Sequence, residues 1–208
     1  MPSLTEDEAW QIANYERAIA YCVRVMETIR LMVEGHDFRM QQYLYSQSGN
    51  SRSCNVPEVT ASLLMRVCKD PSAPDAMDAS EVEFLRHNLI LLQELAQGPN
   101  LRNQELLSTM GIVETCFAVC NAGFERVQRT IGDIYPSPIK RLKAALVTMV
   151  LSLLEMRMDT RIHSALMQRV DTLVVRERLE FAHLYFVFGC RDTHGTDVPA
   201  AVLVGSKE

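Results

Sequence analysis

Few residues in this chain stand at spacings that chemistry can use. Glu180 and His183 lie three apart, which on a helix would put a carboxylate and an imidazole on one face, the arrangement that di-iron bundles use in pairs. A second such pair and two further inward carboxylates would be needed, and Glu83 with His87 has the wrong spacing. His36 and Asp37 form a His-Asp dipeptide of the sort that metal-dependent phosphohydrolases combine with further histidines and an aspartate. The other histidines, at 87, 163, 183 and 194, lack aspartates at useful spacing, so His36 and Asp37 read as polar residues at a helix end. The tail segment DTHGTD, from Asp192, lacks the alternating acids and distal glutamate of a calcium loop. Cys116 and Cys120 are one helical turn apart without a third ligand or a neighbouring base, and read as small core residues. There is no Gly-rich phosphate loop and no Gly-x-Ser-x-Gly elbow. The expectation is a helical scaffold with no catalytic residue, no cofactor and no metal.

Composition narrows the class further. The net charge is −5, with both signs mixed along the chain and no basic stripe, which argues against a nucleic-acid surface. Six cysteines, at 22, 54, 68, 116, 120 and 190, show neither Cys-x-x-Cys pairs nor the dense spacing of a secreted scaffold, so they read as thiols in a reducing compartment. The start, MPSLTEDEAW, is too acidic for a signal peptide. The longest uncharged apolar run, Ala144 to Leu154, is well short of the roughly 20 residues that span a bilayer, so no transmembrane segment is expected. Eleven methionines suit an adaptable groove or, more commonly, irregular core gaps.

The elements that would position these residues are helices. Apolar residues recur at Ile12, Tyr15, Ile19, Cys22, Val23, Met26, Ile29 and Val33, predicting one long helix from Thr5 to Val33, with Thr5 and Glu8 as a capping box. A break at Gly35, a short helical piece from Arg39 to Tyr45 and the polar loop SQSGNSRSCN follow. Asn55 and Pro57 open a helix to Cys68, with Val59, Leu63, Leu64 and Val67 inward. DPSAPDAMDA reads as linker, and Ser80 with Glu83 as the capping box of a helix carrying Val82, Leu85, Leu89, Leu92 and Ala96. Helices are expected at Asn103 to Met110 and Val113 to Val127, hinged near Gly111. Ser137 and Pro138 start another, running to Arg157 and apolar on nearly all sides, the expected most buried element. Thr160 to Val175 and Arg176 to Phe188 complete the set, and residues 189–208 lose periodicity and are expected to be a poorly ordered tail. The whole reads as all-α, a single domain over 1–188 of antiparallel helices forming a bundle or a stacked superhelix.

Between two of these helices the string QELAQGPNLRNQ makes a corner. Gly98 can take the left-handed backbone that ends a helix, and Pro99 cannot continue one. The amides of Gln97, Asn100, Asn103 and Gln104 can bond the backbone groups that a corner leaves without partners, so this reads as a fixed joint.

The same string resembles one found in inositol trisphosphate receptors and ryanodine receptors, in the cytosolic RIH-associated domain. There a helix ends in Leu-x-Glu-Tyr-x-Gln-Gly-Pro-Cys-x-x-Asn-Gln. Leu92, Glu94, Gln97, Gly98, Pro99, Asn103 and Gln104 match, while Leu95 replaces the tyrosine and Asn100 the cysteine. EGHDFRMQQYLYSQSGN is similar to a second family string through Glu34, His36, Gln41, Tyr43, Leu44 and Gln47, and VTMVLSLLE, Val147 to Glu155, to an apolar helix ending Leu-Ser-Leu-Leu-Glu. The resemblance covers about 34–175 and is not secure before Thr28 or after Phe188. It implies an armadillo-like layer between a ligand-binding front and a pore, non-catalytic, on the cytosolic face of the endoplasmic reticulum or another calcium store. Implied partners are other domains or subunits of a tetrameric calcium-release channel, with Gln97, Gly98, Pro99, Asn103 and Gln104 as a structural corner. No ligand-binding region precedes the matching segments and no pore helices follow them, so the expectation is an excised domain, a partial product or a free-standing relative. The competing reading is a free-standing helical-repeat adaptor that binds a partner helix or peptide.

Overall fold

The computed structural model describes residues 5–98, 100–131, 137–157 and 160–169, and every described element is a helix. In order these are α1 (Glu6–Val33), α2 (Phe38–Tyr45), α3 (Val56–Val67), α4 (Ala73–Ala76), α5 (Ala79–Ala96), α6 (Leu101–Met110), α7 (Ile112–Asn121), α8 (Glu125–Ile131), α9 (Pro138–Leu154) and α10 (Thr160–Arg169). The chain divides into two compact units, Met1–Met167 and Gln168–Glu208, and the second lies almost wholly outside the described residues. The helices expected beyond Arg169 and the tail fall there too.

Side-chain caps start α1, α2, α3, α5 and α6. Thr5 and Glu8 form the reciprocal capping box of α1, Asp37 accepts from the Arg39 and Met40 amides at α2, and Asn55 accepts from Glu58 at α3. The box of α5 is Asp78 with Glu81, not Ser80 with Glu83: the Asp78 carboxylate reaches two amides, and Ser80 sits in the first turn and donates to it. Two further readings are corrected. The expected linker contains α4, whose Pro74 is buried together with Met77, and the segment from Val113 to Val127 is broken at Ala122–Phe124 into α7 and α8. Phe124 has a φ of 55°, and its amide donates to Asp75 Oδ1 at 2.7 Å, which holds the break against α4.

The most buried element is α5, not α9. Val82, Leu85, Leu89, Leu92, Leu95 and Ala96 are all fully buried, and α5 packs against α1, α3, α6 and α9. On α9, which ends at Leu154 rather than Arg157, Ala145, Leu146, Met149 and Leu153 face inward while Val147 and Leu151 face out. In α3 the inward residues are Pro57, Thr60, Ala61 and Leu64, and Val59 is exposed.

Three long helices form a layer in which neighbours run the same way, contrary to the antiparallel expectation. Along α1 and α5, Tyr15 donates to Glu81 at 2.6 Å and Glu27 lies 3.5 Å from His87. Along α5 and α9, Glu83 accepts from Arg141 at 2.5 Å and Gln93 donates to the Ala145 carbonyl at 2.6 Å. Residue numbers rise together in both pairs. The intervening short helices carry the chain back to its starting end, which removes the reason for expecting antiparallel neighbours: a short direct connection.

This burial pattern separates two leucines two residues apart. Leu153→Ala should cost about 2–5 kcal/mol through the cavity it leaves. Leu151→Ala, at a side chain 59% exposed, should stay within about 0.5 kcal/mol. Urea midpoints of the two variants check this, and equal losses would place α9 differently.

Candidate functional site

α5 ends inside the protein. Leu95 and Ala96 in its last turn are 0% exposed, so water cannot reach the final carbonyls that every α-helix leaves without intrahelical partners. Each of the four receives a donor nonetheless. The Gln97 amide donates to the Gln93 carbonyl at 2.9 Å, and the Asn100 amide to the Ala96 carbonyl at 3.3 Å. Gln41 on α2 sends its side-chain Nε2 to the Glu94 carbonyl at 2.5 Å and also to that of Gln97 at 2.9 Å. Asn103 on α6 donates Nδ2 to the Leu95 carbonyl at 2.7 Å.

The chain then reverses. Gly98 has φ 81°, and a Cβ placed there would lie 2.3 Å from His36 Cβ, so the position needs glycine both for its backbone and for the approach of the α1–α2 turn. His36 is itself left-handed, with φ 61°. Pro99, part of the expected corner, lies outside the described residues. Asn100 caps α6: its Oδ1 accepts from the Asn103 amide at 3.1 Å and its Nδ2 donates to Gln41 Oε1 at 3.1 Å.

The same corner closes the end of α9. Gln104 donates Nε2 to the carbonyls of Ser152 at 2.9 Å and Glu155 at 3.2 Å. In return Glu155 Oε2 accepts from the Gly98 amide at 3.3 Å, and Arg157 donates to the Leu101 carbonyl at 3.1 Å. Helices α2, α5, α6 and α9 therefore meet through one continuous set of side-chain hydrogen bonds. Around it, His36 Nδ1 stands 3.6 Å from Glu94 Oε2, too far for a hydrogen bond. The Arg102 guanidinium lies 3.7 Å from the centre of the Tyr45 ring, a further α6–α2 contact.

Of the expected corner residues, Gly98, Asn103 and Gln104 meet here, and Gln97 takes part through its main chain. Reading the corner string alone missed Gln41 and Glu155. The signal for Gln41 was available: a glutamine on the inward face of a short amphipathic helix is a polar group that burial obliges to find partners.

Among the described residues the chemical candidates are engaged in structural contacts and do not assemble into one centre. Asp37 serves as the α2 cap, Glu83 is ion-paired with Arg86 and Arg141, and His87 is flanked by Arg86 and Glu27, with burial first and then Arg86 lowering its pKa. Burial pushes the Cys68 thiol up to about 11 and the Cys116 thiol further up. Among the described residues no three potential metal ligands converge. Glu180, His183, Cys190 and the DTHGTD segment lie outside them. No single described helix is long and apolar enough to cross a membrane; α6 followed by the segment to Thr130 has the composition but is bent by 61°. Leu107, Ile112, Val113 and Cys116 from that pair are already buried in the core.

The corner lies within the part of the chain that a comparison by sequence matches. Residues 16–120, just over half of the chain, match the family model described as RyR and IP3R Homology associated. The chain belongs to that family, which ties it to ryanodine receptor and inositol trisphosphate receptor channels. No curated protein matches the chain. The matched region begins well before Thr28, where the resemblance was not secure, and ends before Val147–Glu155, the segment whose carbonyls Gln104 caps.

The close approach at Gly98 can be isolated with a second glycine. Gly49 has φ 96° but open space around it, so Gly49→Ala should cost only the left-handed backbone, about 1 kcal/mol. Gly98→Ala adds the collision with His36 and should cost more, up to about 3 kcal/mol. Denaturant titration of both variants measures the difference, and equal costs would mean that His36 yields freely.

Proposed function

We propose that this chain is a non-catalytic coupling layer of an intracellular calcium-release channel, carrying a ligand-binding event toward the pore through interdomain contacts. The observation that carries the reading is the hydrogen-bonded corner at Gly98, which joins four helices so that a displacement of one is passed to the others. Membership of the family supports the channel context. In this reading the parallel run of α1, α5 and α9 is one turn of an armadillo-like stack, in which equivalent helices of successive layers point the same way.

A coupling layer must also hold its neighbours. The outer side of α9 presents Ala144, Val147, Thr148 and Leu151 at a spacing of three and four, all exposed. A mere spacer would have a uniformly polar face there, and this stripe is suited to docking an adjacent helical layer of the channel. The proposed setting is the cytosolic face of the endoplasmic reticulum or another calcium store, within a tetrameric assembly.

Gly98→Val, which adds a β-branched side chain to a left-handed position against His36, tests the relay. In the assembled channel it should leave ligand affinity unchanged within about twofold and reduce calcium release at saturating ligand several-fold, a coupling loss of roughly 1 kcal/mol or more. Ligand binding and flux measured on the same purified channels decide it. Unchanged release would leave the domain a spacer.

A further inference from the structure

Helix α1 has two apolar faces, and the fold uses one. Ile19, Cys22, Met26, Ile29 and Val33 pack toward the core. A second face, roughly a third of a turn away, runs Trp10, Asn14, Arg17 and Tyr21 at the four-and-three spacing of a two-helix seam, and continues through Val25, Thr28 and Met32. Trp10 is 68% exposed and Tyr21 70%, with Val25 and Met32 also exposed. Two large aromatic side chains this exposed on one helix face, about three turns apart, mark a surface suited to a partner.

We propose that this face is a self-association surface on which two copies of the chain pair their α1 helices antiparallel. The sequence is complementary to itself when reversed about the point between Tyr15 and Glu16. Trp10 then stands level with the partner's Tyr21, and Tyr21 with the partner's Trp10. Glu6 falls within one residue of the level of the partner's Arg24, on the same edge of the seam, and the twofold axis repeats that pair at the other end. The seam's centre is polar, Asn14 standing level with the partner's Arg17, which fixes register and direction as buried polar residues do in coiled coils. A parallel pairing would instead set Arg17 against the partner's Arg17. Because α5 covers the other side of α1, the seam can close without disturbing the fold. Its length, about 30 Å for twenty residues, is short for a stable interface of roughly 1,600 Å², so the dimer should dissociate in the micromolar range.

Trp10 is the only tryptophan, so its fluorescence reports this face directly. Sedimentation equilibrium of the full chain should give a dimer at high protein concentration and a monomer on dilution, with Trp10 emission moving to longer wavelength along the same curve. Arg24→Glu should weaken the dimer about tenfold by turning two attractions into repulsions. Adding Glu6→Arg to that variant should restore it, and Tyr21→Glu should abolish it. All three positions are exposed, and circular dichroism of each variant confirms that the fold is kept. A monomer at every concentration would overturn the proposal. So would a dimer indifferent to Tyr21→Glu, or one that the charge swap fails to restore.

Discussion

A helix that ends in a protein's interior must find donors for its last carbonyls, and the structure around α5 is arranged by that requirement. An unsatisfied buried carbonyl costs about 1–3 kcal/mol, so four left open would rival the stability of an ordinary domain. Two are answered by main-chain amides, that of Gln97 continuing the helical pattern and that of Asn100 reaching the Ala96 carbonyl after the left-handed Gly98 has turned the chain. The other two are answered by Gln41 and Asn103, from helices before and after. This is why so many amide side chains lie at zero exposure in an otherwise aliphatic core: Gln41, Asn103 and Gln104 act as donors to backbone that water cannot reach. The solution has a residue of its own, since Asn103 Oδ1 and Gln104 Oε1 have no hydrogen-bond partner among the described residues.

The placement of the layer follows from the same bonds. Gln104 holds the end of α9 to the start of α6, Gln93 holds the middle of α9 to α5, and Tyr15 ties α1 to the first turn of α5. Aliphatic contacts supply most of the driving force, but they are non-directional. Hydrogen bonds to particular carbonyls fix how far one helix slides along another. A joint of this kind changes the angle between helices only by breaking several bonds together, which is the property a coupling layer needs.

Much of this was legible in the sequence, for physical reasons that differ by element. Helices were readable because their periodicity and caps are local: Thr5 with Glu8, Asn55 before Pro57, and Gly98 after a leucine stripe. Asp78 was overlooked as a cap because two acceptable capping boxes overlap there, and the choice rests on which carboxylate reaches two amides. The direction of α1, α5 and α9 was not readable, since nothing local records where α2 to α4 carry the chain. Val59 illustrates another limit: the apolar pattern of α3 fits two faces a quarter turn apart, and packing against α5 selects the one with Thr60, Ala61 and Leu64. Gln41 shows the converse, a buried polar residue whose partners, the Glu94 and Gln97 carbonyls, are more than fifty residues away.

If the corner is one unit rather than several local caps, Gln41 and Gln104 should be energetically coupled although they bond to different helices, Gln41 to α5 and Gln104 to the end of α9. A double-mutant cycle of Gln41→Ala and Gln104→Ala, read by equilibrium denaturation, measures that coupling. A cooperative corner predicts that the double variant departs from the sum of the singles by about 1 kcal/mol or more, because the first substitution already loosens what the second would break. Additivity within about 0.5 kcal/mol would mean that the two glutamines serve separate helix ends, and the rigid joint on which the proposed relay depends would not exist.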